Sequence, residues 1–100
     1  MNLKDALTLK NYTVNIDGVE VTLRRPSLAD LAETMNIAAD DTKQKSITAW
    51  LVFNHLLDDK GDQYFTDIEK VYKCDAVFVE KIAKEVDKLY SEGSSLPAQQ

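Results

Sequence analysis

The chain has 100 residues, enough for one domain and too few for two. Its side chains are 44% apolar and 29% charged, which fits a globular protein with a single hydrophobic core and argues against a disordered one. Seventeen acidic against 12 basic side chains give a net charge of −5, and the basic ones are scattered. That field has the wrong sign for nucleic acid or an anionic membrane surface as a partner. A lone cysteine, Cys74, cannot close an internal disulfide. Met1 to Asp5 lacks the basic-then-apolar order of a signal peptide, and no run approaches the ~18 apolar residues of a membrane span. The expectation is a cytosolic protein.

Taken in chain order, Leu3, Ala6 and Leu7 have the spacing of one short helical turn, with no evident cap. The next segment is clearer. Tyr12 to Ile16 and Val19 to Leu23 each alternate apolar and polar around Asp17-Gly18, the dipeptide suited to a type I′ turn. Counting outward pairs Ile16 with Val19, Val14 with Val21 and Tyr12 with Leu23, all on one face. Two strands are barely stable alone, so helices must cover that face. Pro26-Ser27 opens the first, with Ser27 and Asp30 spaced as a capping box and Leu28, Leu31, Ala32 and Met35 as an apolar stripe.

Asp40-Asp41-Thr42 is expected to open a second helix running to Leu57. Ala49, Val52, Phe53, Leu56 and Leu57 form one stripe, and Ile47, Trp50 and Leu51 a second beside it. So wide an apolar surface is contacted from two sides, by the hairpin, by a second copy of the chain or by another protein. Asp58 to Asp62 reads as a polar turn with Gly61 at positive φ. Thr66 and Glu69 then suggest a capping box for a short helix with Ile68, Val71 and Tyr72. Asp75 is placed to cap the last helix, whose inward positions are Val79, Ile82, Ala83, Val86, Leu89 and Tyr90. Glu80 and Lys84 on its outer face have the spacing of a helical ion pair. Gly93 marks its predicted end, leaving residues 93–100 as a flexible tail behind a single domain of residues 1–92. The fold class expected is α+β and mostly helical: a two-stranded antiparallel hairpin packed on three to four helices.

Chemistry is hard to place in this sequence. One histidine, His55, allows no triad and no multi-histidine metal site, and it lies beside the core stripe. Cys74 has only Lys73 as a cationic neighbour, too little to make a reactive thiolate. The acidic turn fails as an EF-hand: with Gly61 at position 6, position 1 falls on Leu56. No glycine-rich phosphate loop is present. The reading is a protein with no catalytic residues, metal or cofactor. What remains is aromatic surface, and Trp50, Tyr64, Phe65 and Tyr72 are the candidate partner-binding residues, since Trp and Tyr are favoured interface anchors.

Two motifs carry a resemblance. One is Val19-Glu20-Val21-Thr22-Leu23-Arg24-Arg25-Pro26-Ser27-Leu28-Ala29-Asp30, a strand running into a proline-capped helix. The other is the stretch from Leu57 through Gly61, Tyr64 and Phe65 to Glu69, an acidic glycine turn, an aromatic pair and a cap. In this order and spacing, over Tyr12 to Tyr90, the chain resembles the tail assembly chaperones of long-tailed bacteriophages. The resemblance implies a non-enzymatic protein of the host cell cytoplasm. It would bind the tape measure protein, keep it soluble, help recruit tail tube subunits and be absent from the finished virion. It also implies a longer, frameshifted form whose extension would begin within Ser91 to Gln100. The alternative is a structural head–tail connector or tail completion subunit retained in the particle.

Overall fold

A computed structural model describes residues 2–39 and 47–98. The described elements are α1 (Leu3–Leu7), β1 (Asn11–Ile16), β2 (Val19–Arg24), α2 (Leu28–Ala39), α3 (Ile47–His55), β3 (Leu56–Leu57), α4 (Ile68–Val71) and α5 (Ala76–Ala98). The class is α+β and mostly helical, with the N-terminal hairpin in place. A small antiparallel sheet, ordered β1-β2-β3, packs with α3 and α5 around one core.

The hairpin follows its local chemistry. Asp17 (φ 53°) and Gly18 (φ 84°) are both left-handed, as a type I′ turn requires. The register pairs Ile16 with Val19, Val14 with Val21 and Tyr12 with Leu23, and Ile16, Val21 and Leu23 are buried. On the opposite face the hydroxyls of Thr13 and Thr22 lie 3.3 Å apart.

The sheet has a third strand where helix is expected. α3 ends at His55, and Leu56 and Leu57 pair with Leu23 and Thr22. The buried His55 ring bonds the Arg24 carbonyl and so pins the end of α3 to the end of β2. Leu56 and Leu57 are buried as a strand just as they would be in a helix. Two adjacent leucines carry no period with which to distinguish the two. The expected opening of this helix at Asp40-Asp41-Thr42 lies outside the described residues. The second stripe on α3 finds its cover inside the molecule: Leu51 is buried and Ile47 and Trp50 pack against the core.

The capping box of α2 forms as expected. The Ser27 hydroxyl accepts the Asp30 N–H at 3.1 Å, and the Asp30 carboxylate accepts the Ser27 N–H at 2.9 Å. The helix is rolled differently from the expected stripe, however. Leu28, Ala32 and Met35 face solvent, whereas Asp30, Leu31 and Thr34 are half-buried and Ile37 is buried. This inward side is held by Arg24, which donates from Nη1 to the Asp30 carboxylate at 2.8 Å, and by the packing of Leu31 and the burial of Ile37.

Other local differences are small. Asn2 caps α1, accepting the Asp5 N–H at 2.9 Å, where no cap is evident in the sequence. Asp67, one residue after Thr66, caps α4 by accepting the Glu69 N–H at 3.0 Å. Asp75 caps α5 through the Phe78 N–H as expected. α5 buries Ile82, Ala83, Val86, Leu89 and Tyr90, and it continues through Gly93 to Ala98 instead of stopping. A single glycine costs a helix only about 1 kcal/mol, too little to end one by itself. Among the described residues Glu80 and Lys84 do not pair; α5 instead joins Glu85 to Lys88 at 2.9 Å.

Candidate docking surfaces

The titratable groups nearest the core are structural. His55 is fully buried; its Nδ1–H donates to the Arg24 carbonyl at 2.6 Å, so Nε2 is free to accept from the Tyr90 hydroxyl at 2.5 Å. Burial holds the imidazole below its usual pKa and pushes the Tyr90 phenol up to about 12. Arg24 completes the knot, with Nη2 donating to the Asn54 carbonyl at 3.0 Å and Nη1 to Asp30. Burial alone would raise the Asp30 carboxyl, but hydrogen bonds from Arg24 and Ser27 outweigh it and hold the group below its ordinary value. All members have hydrogen-bond partners, and the network joins β2, α2, α3 and α5. Cys74 is exposed, its Sγ 3.3 Å from the Lys70 carbonyl.

The first open apolar surface is a cleft of about 840 Å³ between β2, the first turns of α5 and the segment 57–65. It exists because the sheet stops early. Extending β3 would bring Asp58 to Lys60 alongside Val21 to Val19, but the chain turns away. The Asp58 carboxylate accepts the N–H groups of Lys60 (2.9 Å) and Asp62 (3.0 Å), and Gly61 takes the expected positive φ of 86°. The edge of β2 is thereby left open from Val19 to Val21. Alternation from the Ile16–Val19 pair points the Glu20 N–H and C=O at that open edge, where no partner meets them among the described residues. Val21, Phe65, Phe78 and Ile82 line the cleft. Its ionisable rim is Glu20, Asp58, Asp59 and Asp75, with no lysine or arginine.

The four aromatic candidates part company here. Tyr64 and Phe65 line the cleft, edge to face with ring centroids 4.9 Å apart. Tyr72 is exposed beside a separate, smaller pocket. Trp50 is half-buried against the core, edge-on to His55 at 6.3 Å, and faces neither opening. The sequence reading missed Phe78 and Val19, which the alternating pattern and the helix stripe would both have assigned to the interior.

The second surface lies on α1 and α2 and includes Leu28 and Met35 of the expected apolar stripe. No residue of α1 is buried, and Leu3 and Leu7 are 74% and 75% exposed. On α2 Leu28 is 83% and Met35 73% exposed, two turns apart on one face. Between the two helices Leu7, Leu9, Pro26 and Leu28 line a shallow depression of about 370 Å³, whose charged members are Lys10 and Arg25 with no acid. The hydrogen bond from the Arg25 N–H to the Lys10 carbonyl (3.0 Å) holds its two sides together.

No family model matches the chain, and neither a curated protein nor a solved structure does. Among the described residues no helix is long and apolar enough to cross a membrane.

Proposed function

We propose that this is a non-catalytic protein that holds a helical segment of another protein through the exposed face of α2. The observation that carries the reading is the stripe Leu28, Ala32 and Met35. It is an apolar helix face at i, i+4, i+7 turned to solvent by the capping box and Arg24. Large apolar side chains exposed in register are the usual anchors for a partner helix laid alongside. A net charge of −5 favours solubility of the complex. Together with the two motifs described above, this supports a phage tail assembly chaperone in the host cytoplasm. Its partners would be the tape measure protein, a long coiled-coil former, and the tail tube subunits recruited around it.

The test is co-expression of the full chain with the tape measure protein of the same phage, followed by affinity purification. The expected result is soluble tape measure protein that co-purifies with several copies of this chain and is lost from the complex with Met35→Asp. Tape measure protein that remains insoluble would sink the reading. Detection of this chain in purified virions would instead favour the structural connector.

A further inference from the structure

The depression between α1 and α2 continues the exposed stripe of α2. Leu28 belongs to both: it lines the depression with Leu7, Leu9 and Pro26, and it heads the stripe that runs through Ala32 to Met35. From Leu28 to Met35 is about 10 Å along the helix axis, and with the depression the apolar track accommodates roughly three turns of a partner helix.

Charge stands at one end of this track. Lys10 and Arg25 line the depression and no acid does. Both side chains are exposed, and the bond between the two residues uses main-chain atoms, the Arg25 N–H and the Lys10 carbonyl. The Lys10 ammonium donates to the Asp5 main-chain carbonyl at 2.9 Å, which leaves it two further N–H donors. Lys4 and Asp5 on α1 offset each other in charge, and neither lines the depression. Arg24 is committed to Asp30 and to the Asn54 carbonyl. α2 has no lysine or arginine of its own. Its exposed acid, Glu33, lies about a third of a turn round the helix from the stripe.

We infer that this track holds an amphipathic helix whose last turn is acidic, laid antiparallel to α2 with that turn against Lys10 and Arg25. Two effects of the same sign set the direction. Carboxylates of the last turn meet the ammonium and guanidinium groups, and the unpaired carbonyls that close an α-helix add the negative end of its dipole. In the reverse direction a helix N-terminus would face two cations. The inference rests on the holding role proposed above and adds the partner's charge and direction to it.

The test uses the full chain and two synthetic helices of about 20 residues, acetylated and amidated, with the same leucine stripe at i, i+4, i+7. One carries glutamates in its last turn, the other lysines. Binding is read by isothermal titration calorimetry to the native chain and to the double variant Lys10→Glu with Arg25→Glu. Both positions are exposed, and circular dichroism verifies the fold. Each peptide is compared with itself across the two proteins, so differences in helicity cancel. The acidic peptide should bind the native chain about tenfold tighter than the variant, and the lysine peptide should show the opposite order. Salt should narrow both gaps. A nitroxide in the last turn of the acidic peptide should broaden the amide resonances of Leu9 and Lys10 and spare that of Met35. Binding that is abolished by Met35→Asp yet equal in the native and variant chains would overturn the inference and leave the holding role standing. Broadening at Met35 in place of Lys10 would overturn it through the direction. So would a native dimer that Met35→Asp dissolves, since the face would then belong to a second copy. If neither peptide binds at up to about 1 mM the inference falls, while the holding role is decided separately with tape measure protein.

Discussion

The cleft and the α1–α2 face are both apolar and open, yet they arise in opposite ways. The cleft is a vacancy between well-packed elements. β2 and α5 are set by the core, and the gap between them opens because Asp58 turns β3 aside after two residues. The α1–α2 face is a projection, made of helices held by caps and by one guanidinium, with Leu28 and Met35 turned out because Asp30 is turned in. Apolar exposure is thus decided in both places by a polar anchor: a carboxylate that caps a turn, or a carboxylate that meets an arginine. If so, the two regions should respond differently when their anchors are removed.

The largest effect should come from the group common to both. His55 links the end of α3 to β2 and α5, and it is fully buried. His55→Ala removes the ring, leaves a cavity, strands the Arg24 carbonyl and takes one of its partners from the Tyr90 hydroxyl. The loss should be about 3–5 kcal/mol of stability by urea denaturation, with cleft and α2 lost in one transition. Two separate transitions would show that the regions are not coupled through this network. Next comes Asp30→Ala, which removes a cap and leaves Arg24 without its carboxylate. It should cost about 2 kcal/mol, with increased hydrogen exchange confined to α2 while the cleft residues of α5 keep their protection. Exchange spread evenly over both regions would contradict the division between vacancy and projection.

The same network makes stability depend on pH with a defined sign. The His55 pKa is depressed in the folded state by burial, so above its unfolded value near 6.5 the ring is neutral in both states and its contribution is complete. As pH falls below about 6.5 the unfolded chain takes up the proton first, and stability declines by up to ~1.4 kcal/mol per pH unit. Around the ring stand Arg24, Asp30 and Tyr90. The Asp30 carboxyl, held below 3.8, becomes a factor only at lower pH, where protonating it removes further stability. The phenol of Tyr90 is raised to about 12, so its contribution is complete below its ordinary value of 10 and is lost as pH rises from there through about 12. Melting temperatures taken from pH 7.5 to 4.5 should fall for the native chain. A flat profile would mean that His55 is not held neutral.

How much of this is legible in the sequence depends on how local each cause is. The hairpin, its register and the caps at Ser27 and Asp75 are read from residues within a turn of one another, and they stand as expected. The roll of α2 is not readable, because the inward pull of Arg24 on Asp30 competes with a stripe, Leu28 to Met35, that taken alone has every mark of a core face. β3 is hidden because Leu56-Leu57 has no period, and the cap of α4 is misplaced by one residue because Thr66 and Asp67 offer equivalent oxygens. The cleft is the hardest feature to foresee, being the place where a strand fails to continue. Tyr64 and Phe65 could be nominated for it as exposed aromatics beside a turn. Trp50 could not be told apart from them, since only the packing on His55 marks it as interior.

The smallest expected effect on stability separates the two surfaces most sharply. Met35→Asp places a charge on a side chain that is 73% exposed and belongs to no packed cluster. It should therefore change stability by less than ~0.5 kcal/mol, the range of ordinary surface substitutions. Phe78→Asp places the same charge in the wall of the cleft, on a half-buried ring packed against the core, and should cost about 2–3 kcal/mol. The contrast should show in two urea titrations with the same slope and different midpoints. If Met35→Asp proved as costly as Phe78→Asp, α2 would have to pack on its Met35 side, and the stripe could not be free to meet a partner. Equal and negligible costs would say instead that the Phe78 ring contributes little to the core and that the cleft widens at no expense. Only a large gap between the two midpoints fits a cleft left open inside the core and a helix face held away from it.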